Sequence, residues 1–296
     1  MIVLITLRGF ELKEIATERK RLGLVLAVSM LLIGSETVSA GLLISSLHQE
    51  HLLDFNSFRG SGLVPEPNLT QLDSNVWRIA GLSDGDGQFG ATYLTGDWAR
   101  GSTSSFVSIG GVYSFNHGTE LAPDWALGFQ PTGSDLTPGA LTMQLLNGTQ
   151  TRVDWVCFAF DLMIRNNEDR SSHLSLAYGH DDSYYQEAEN GVWITGEQKS
   201  ERLDWETYRY EETFSVIGLR PGSPFYLCWS FRDLAGRGSR DEVAIDNLKV
   251  EFGQYTSQLP EASLLGWLLS ALALTLPFRV PRLRIEHQTS LEKEAS

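Results

Sequence analysis

Carboxylates, histidines and aromatic rings are what this chain has to offer chemically, and their spacing limits which chemistry they can do. Hydrolysis of a glycosidic bond needs two carboxyl groups roughly 5–10 Å apart across a sugar. Asp204, Glu206, Glu211 and Glu212 come nearest, but no ExDxxE run sets such a pair on one strand. They read as an acidic, solvent-facing strand. His117, His173, His180 and the other histidines are scattered without ligand spacing, so zinc chemistry has no support and they read as solvated loop residues. No serine-hydrolase machinery is read in the chain. Gly85 and Gly87 sit between Asp84 and Asp86, which would repel a phosphate. The same acidic run echoes the start of an EF-hand loop but lacks its downstream glutamate, and is expected to be a turn. No catalytic residue is assigned, and the chain is read as a non-enzyme.

Aromatic residues give a second signal. Tyr184, Tyr185, Trp193, Trp205, Tyr208 and Tyr210 gather between Gly179 and Tyr210. Exposed rings stack on the apolar faces of sugars while polar side chains fix the hydroxyls. Tyr184, Trp193, Trp205 and Tyr208 are therefore the candidate ligand-binding set, with membership of the core as the competing reading. Cys157 and Cys228 are the only cysteines, too few for a disulfide scaffold or a four-cysteine zinc site. They are read either as one disulfide or as two free thiols.

The elements that must position these residues are strands. From Leu52 to Phe252 short apolar runs alternate with Gly, Asp, Asn and Pro clusters, and no stretch has a period of 3.6. In Phe225–Phe231 the odd-numbered residues are large and apolar; in Val156–Leu162 the even-numbered ones are. Many strands at fairly regular spacing predict an all-β, antiparallel β-sandwich of the jelly-roll kind, like carbohydrate-binding modules. The net charge of −14 over 296 residues excludes a nucleic-acid partner, because phosphate binding needs a basic face. Lys199 and Lys249 are the only lysines between Leu42 and Gln258, so the module itself carries the acidity.

Both ends differ from this middle. Lys13, Arg19, Lys20 and Arg21 precede an apolar run from Leu22 to Gly34, and Val38-Ser39-Ala40 offers a small-residue cleavage site, the order of a secretory signal. Residues 1–40 are thus expected to be a signal helix, 41–51 a linker, 52–254 the sandwich and 255–262 a second linker. Ser263 to Phe278, with Arg279, Arg282 and Arg284 behind it, reads as a transmembrane anchor over 263–284, followed by a polar tail over 285–296. Leu259-Pro260-Glu261-Ala262 ahead of that run resembles the PEP-CTERM class of bacterial sorting signals, with Ala262 where that motif has a second proline.

Four motifs in the middle belong together. GDWARG at Gly96–Gly101, GGVYSF at Gly110–Phe115, ALGFQPTGSDLTPG at Ala126–Gly139 and GSRDEVAIDNLKV at Gly238–Val250 resemble, in that order, an uncharacterised module of secreted, anchored bacterial proteins. The resemblance implies a jelly-roll sandwich and brings no activity with it. Sugar-binding jelly rolls commonly hold a structural calcium between first and last strands. Asp54 and Asp246 are the residues here that match, the other reading being hydrogen bonding of both to backbone. The expectation is an exported, membrane- or surface-anchored, non-catalytic binding or structural module of the cell envelope or extracellular matrix. Its alternatives are a carbohydrate-binding protein, partnered by extracellular polysaccharide, and an unrecognised hydrolase. No cofactor beyond that calcium is expected.

Overall fold

A computed structural model describes residues 41–255 of the chain. The signal segment, the anchor with its basic cluster and the Pro-Glu motif lie outside the described residues. Within them, no helix is long and apolar enough to cross a membrane. Fifteen strands follow in chain order: β1 (Leu42–Ile44), β2 (His51–Leu53), β3 (Leu63–Val64), β4 (Leu72–Asp73), β5 (Trp77–Ala80), β6 (Ser102–Thr103), β7 (Gly111–Asn116), β8 (Trp125–Gln130), β9 (Gly139–Asn147), β10 (Val153–Arg165), β11 (Ser172–Asp181), β12 (Tyr184–Ile194), β13 (Glu206–Leu219), β14 (Pro224–Asp233) and β15 (Glu242–Gly253). One sheet runs β1-β9-β14-β11-β12 with β5 also on β9; the other runs β13-β10-β15-β8-β7-β6 with β2 also on β15.

Alternation along the long strands explains why the sheets stack. Val156, Phe158, Phe160 and Leu162 of β10 and Phe225, Leu227, Trp229 and Phe231 of β14 point into one shared core. Trp229 stands edge-on to Phe158 and Phe160, with ring centroids at 5.7 and 5.4 Å. Phe129 of β8 meets Phe231 at 5.3 Å, so the same layer of rings joins the sheets further along. Burying such rings contributes about 1.5–3 kcal/mol each relative to leaving them in water.

Three features depart from the sequence-based expectation. The long strands pair antiparallel, but β1–β9, β3–β4 and β6–β7 are parallel. Leu42–Ile44, in the stretch read as a linker, is a strand of the first sheet, and Ile44 is fully buried. Residues 184–194, read only as an aromatic-rich segment, form the edge strand β12. Its outward-facing polar residues, Gln186, Glu187, Glu189 and Asn190, hide the period-two pattern, because just one face of an edge strand packs.

The last strand, β15, breaks its own alternation. Val243 and Ile245 point into the core, and so do Leu248, Val250 and Phe252. The side-chain period therefore skips between them. Asn247 supplies the extra residue with a left-handed φ of 51°, and the register against β10 shifts between Ala159 and Asp161. This is a β-bulge, which bends a strand and re-aims a side chain. The inserted residue is Asn247; Asp246 follows Ile245 in ordinary alternation and faces away from the shared core, as Ala244 does.

Candidate functional site

Loops at one end of the sandwich enclose an open cleft of about 510 Å³, lined among others by Asp97, Arg100, Ile109, Gly110, Thr132, Ser134, Asp135 and Ser239. A single 3₁₀ turn, Gly96–Trp98, sets Asp97 in its wall. One Asp97 oxygen pairs with Arg100, whose Nε donates to the Gly110 carbonyl at 2.9 Å. The other accepts the Ser83 hydroxyl at 2.6 Å and the Asp84 N–H at 3.0 Å. Asp135 faces Ser83 from the opposite side: Oδ1 accepts the Ser83 N–H at 2.8 Å, and Oδ2 accepts the Thr132 and Ser134 hydroxyls at 2.8 and 2.9 Å. Burial pushes the Asp135 carboxyl up, but these hydrogen bonds outweigh it and hold the group below its ordinary range.

All four sequence motifs meet here, which their separation along the chain conceals. The acidic loop after β5 is the expected turn: the Asp84 carboxylate accepts the Asp97 backbone N–H and the Asp86 carboxylate the Gly81 backbone N–H, and Gly85 takes φ 111°. Contrary to the sequence reading, which finds no GxSxG elbow, Gly81-Leu82-Ser83-Asp84-Gly85 has that spacing. Ser83 is nevertheless not a serine nucleophile in this setting. Its hydroxyl donates to a carboxylate rather than to a histidine, and the chain enters a turn rather than a helix.

Behind the cleft, Arg240, Asp241 and Glu242 of the SRDE run are buried, while Ser239 is partly exposed at the cleft. Glu242 pairs with Arg165 at 2.9 Å and accepts the Val107 N–H at 2.6 Å. The guanidinium of Arg165 lies over the rings of Trp205 and Phe106, at 4.3 and 4.9 Å from their centroids. Stacking and ion pairing thus brace one arginine on three sides.

The predicted aromatic face does not form as one surface. Trp205 packs on Phe115 and Arg165, and Trp193 packs edge-on against Phe160 and Tyr210. Both belong to the packing, as the competing reading had it. Tyr184 and Tyr208 are exposed, at 74% and 42%. Tyr184 joins Tyr178, His180, Asp181, Gln186 and Ser215 around a pocket of about 210 Å³ on the sandwich edge. Tyr208 lies seven residues before Ser215 on β13, on the order of 23 Å away. There it donates to Glu206 at 2.8 Å.

The cysteines are free. Cys157 on β10 and Cys228 on β14 belong to different sheets, so the disulfide reading fails. Each points away from the shared core, and two stacked sheets about 10 Å apart separate the outer faces, beyond the reach of a disulfide. Cys228 lies beneath Thr142, near the ion pair of Arg78 with Asp182, and burial pushes its thiol up.

The two carboxylates proposed for calcium are divided between different partners. Asp54 closes an Asx turn, accepting the Asn56 N–H at 2.6 Å and the Asn56 side-chain amide at 3.0 Å. Asp246 does reach the neighbour of Asp54, accepting the Phe55 N–H at 3.3 Å. Its second oxygen faces His117 instead, and the cluster it belongs to is His117, Asp124 and Asp246. No sequence spacing announces this group, because it joins the β7–β8 hairpin to β15.

Fold and cleft together define an all-β, two-sheet sandwich module with a polar cleft at one end. No family model and no curated protein matches the chain. Solved structures similar to it include the K1 cleaved adhesin domain of Lys-gingipain from Porphyromonas gingivalis W83, at 14% identity over 70% of this chain and 99% of that one, TM-score 0.35. A non-crystalline-cellulose-specific carbohydrate-binding module, CBM28, is similar at 14% identity over 66% and 93%, TM-score 0.31. The CBM22-1 xylan-binding domain of Paenibacillus barcinonensis Xyn10C is similar at 10% identity over 52% and 90%, TM-score 0.32.

Proposed function

We propose that this chain is an exported, membrane-anchored, non-catalytic module of jelly-roll type that binds a neutral extracellular polysaccharide in the end cleft. One observation carries the reading. The charges in the cleft are spent on the protein itself, Asp97 on Arg100 and Asp135 on two hydroxyls and an amide, while the rim presents serine, threonine and backbone groups. Such a surface suits a ligand rich in hydroxyls and without net charge. Its breadth suits the interior of a chain, since small-molecule sites enclose most of their ligand.

The same carboxyls support the non-catalytic part of the reading. A glycosidase needs one acid kept protonated near neutral pH, whereas Asp135 is held below its ordinary range. Asp241 is pushed up to about 6 by burial but is fully enclosed, out of reach of any substrate. The apolar run with its arginines supplies retention at the membrane, and the N-terminal basic and apolar segments supply export.

A glycan array probed with the purified chain tests the reading. Gly133 lines the cleft, and a Cβ built there meets nothing within 4 Å, so Gly133→Trp fills the cleft without strain. Binding that survives in Tyr184→Ala and is lost in Gly133→Trp supports the cleft. The reverse pattern moves the site to the edge pocket, and no binding to any glycan removes the polysaccharide reading.

A further inference from the structure

We propose that His117, Asp124 and Asp246 form a binding site for a divalent transition metal ion, zinc by preference. The three come together next to the bulge in β15. Along that strand the neighbour changes from β8, paired through Val243–Ile245, to β2, paired through Leu248–Val250. Asp246 and Asn247 fall in the gap between the two. Asp246, of opposite parity to the core-facing Ile245, points away from the shared core to the β7–β8 hairpin, where the His117 N–H donates to the Asp124 carbonyl at 2.9 Å. Both hairpin side chains then face it.

Distances separate a metal site from a charge relay. His117 Nε2 lies 3.4 Å from Asp246 Oδ2 and 3.5 Å from Asp124 Oδ2. Charge-assisted hydrogen bonds of this type run about 2.7–2.9 Å, so neither contact is a good one. Ligand atoms around a tetrahedral zinc, bonded at about 2.0–2.2 Å, are about 3.3–3.5 Å apart. The two separations from His117 match edges of that tetrahedron, and all three ligand atoms lie within 4.8 Å of one another.

Burial makes the same point independently. The Asp246 side chain is only 1% exposed, yet its two contacts are the 3.4 Å approach to His117 and a long 3.3 Å bond from the Phe55 N–H. A carboxylate removed from water at this depth needs a strong partner. An imidazole nitrogen among the donors selects zinc, or cobalt and nickel, over calcium, which takes oxygen ligands. Asp124, 42% exposed, forms the solvent side, and a fourth position there falls to water or to a ligand oxygen. The bound ion would fasten the hairpin to the last strand and to the exit of β2.

The test uses the purified, untagged full chain. With free zinc at a hundredfold excess over Kd, the melting temperature is expected to rise by about 5–10 °C relative to chelator. Cobalt in place of zinc is expected to give the strong visible absorption of a four-coordinate site. His117→Ala removes both signals, and Asp124→Ala, at a half-exposed position where folding is not at stake, weakens zinc binding at least tenfold; calcium gives no shift. Equal melting in zinc and chelator overturns the proposal. So does a cobalt spectrum or zinc shift that survives unchanged in either variant, or a calcium shift equal to that of zinc.

Discussion

Arg165 and Glu242 meet at 2.9 Å in the interior, the carboxylate fully buried and the guanidinium 8% exposed, with Trp205 stacked on the arginine. Removing one partner strands the other charge away from water, at a cost of about 3–5 kcal/mol. Arg165→Ala and Glu242→Gln are each expected to lower stability by about that much in urea unfolding. The pair replaced together by apolar residues loses less than the sum, because no orphan charge remains. Additive single losses would show that the two side chains do not act as a pair.

The thiols give a second prediction. Without reductant, the unfolded protein is expected to label at two cysteines. In the folded protein Cys157, half-buried on the outer face of its sheet, reacts first. Cys228 is buried and its thiol is pushed up by that burial, so it reacts only as fast as the protein opens. Two blocked cysteines in the unreduced chain would contradict the placement of β10 and β14 in separate sheets.

How far the sequence could be read is set by which signals are local. Alternation along β10 and β14 is local, and it identified both the core-facing residues and the sandwich. The cysteine parity was right as well, since both do face away from the core. Pairing was not legible, because Cys157 and Cys228 read alike whether their strands are neighbours or lie in opposite sheets. The edge strand β12 was missed since its polar face dominates. Trp205 was read as a ligand platform because a tryptophan in a polar segment looks exposed; Arg165, forty residues earlier, is what covers it. The cleft was visible only as four motifs in order, with nothing to say they line one cleft. His117 could not be joined to Asp246 because 129 residues separate them and no local pattern says which hairpin lies beside which strand.

Asp241 provides the pH dependence. Burial pushes its carboxyl from 3.8 up to about 6, against the opposing pull of Thr195 and of the backbone N–H groups of Glu168, at 3.1 Å, and Asn167. The folded state therefore holds this proton more tightly than the unfolded chain. The stabilisation is complete below about pH 4 and is lost as pH rises through 6, a change of about 3 kcal/mol. Asp241→Asn keeps the acceptor oxygen and cannot ionise. Urea unfolding between pH 4 and 7 is expected to show the variant gaining on the wild type by about that amount, and parallel profiles would refute the assignment.

Two glycines of the same cleft make the sharpest comparison. A Cβ at Gly110 would overlap the Asp135 Oδ2 that accepts the Thr132 and Ser134 hydroxyls. The carboxylate would have to swing away, and with it the bond from the Ser83 N–H that ties the acidic loop to the cleft wall. Gly110→Ala is thus expected to cost about 1–3 kcal/mol, the range for overpacking, or very roughly 2–12 °C in melting temperature for a domain of this size. Glycan binding should weaken with it, since the Asp135 turn forms one bank of the cleft. Gly133, with open space around its Cβ position, is the control: Gly133→Ala should lie within about 0.5 kcal/mol of the wild type. Equal melting temperatures for the two variants would mean that the Asp135 network does not hold the cleft.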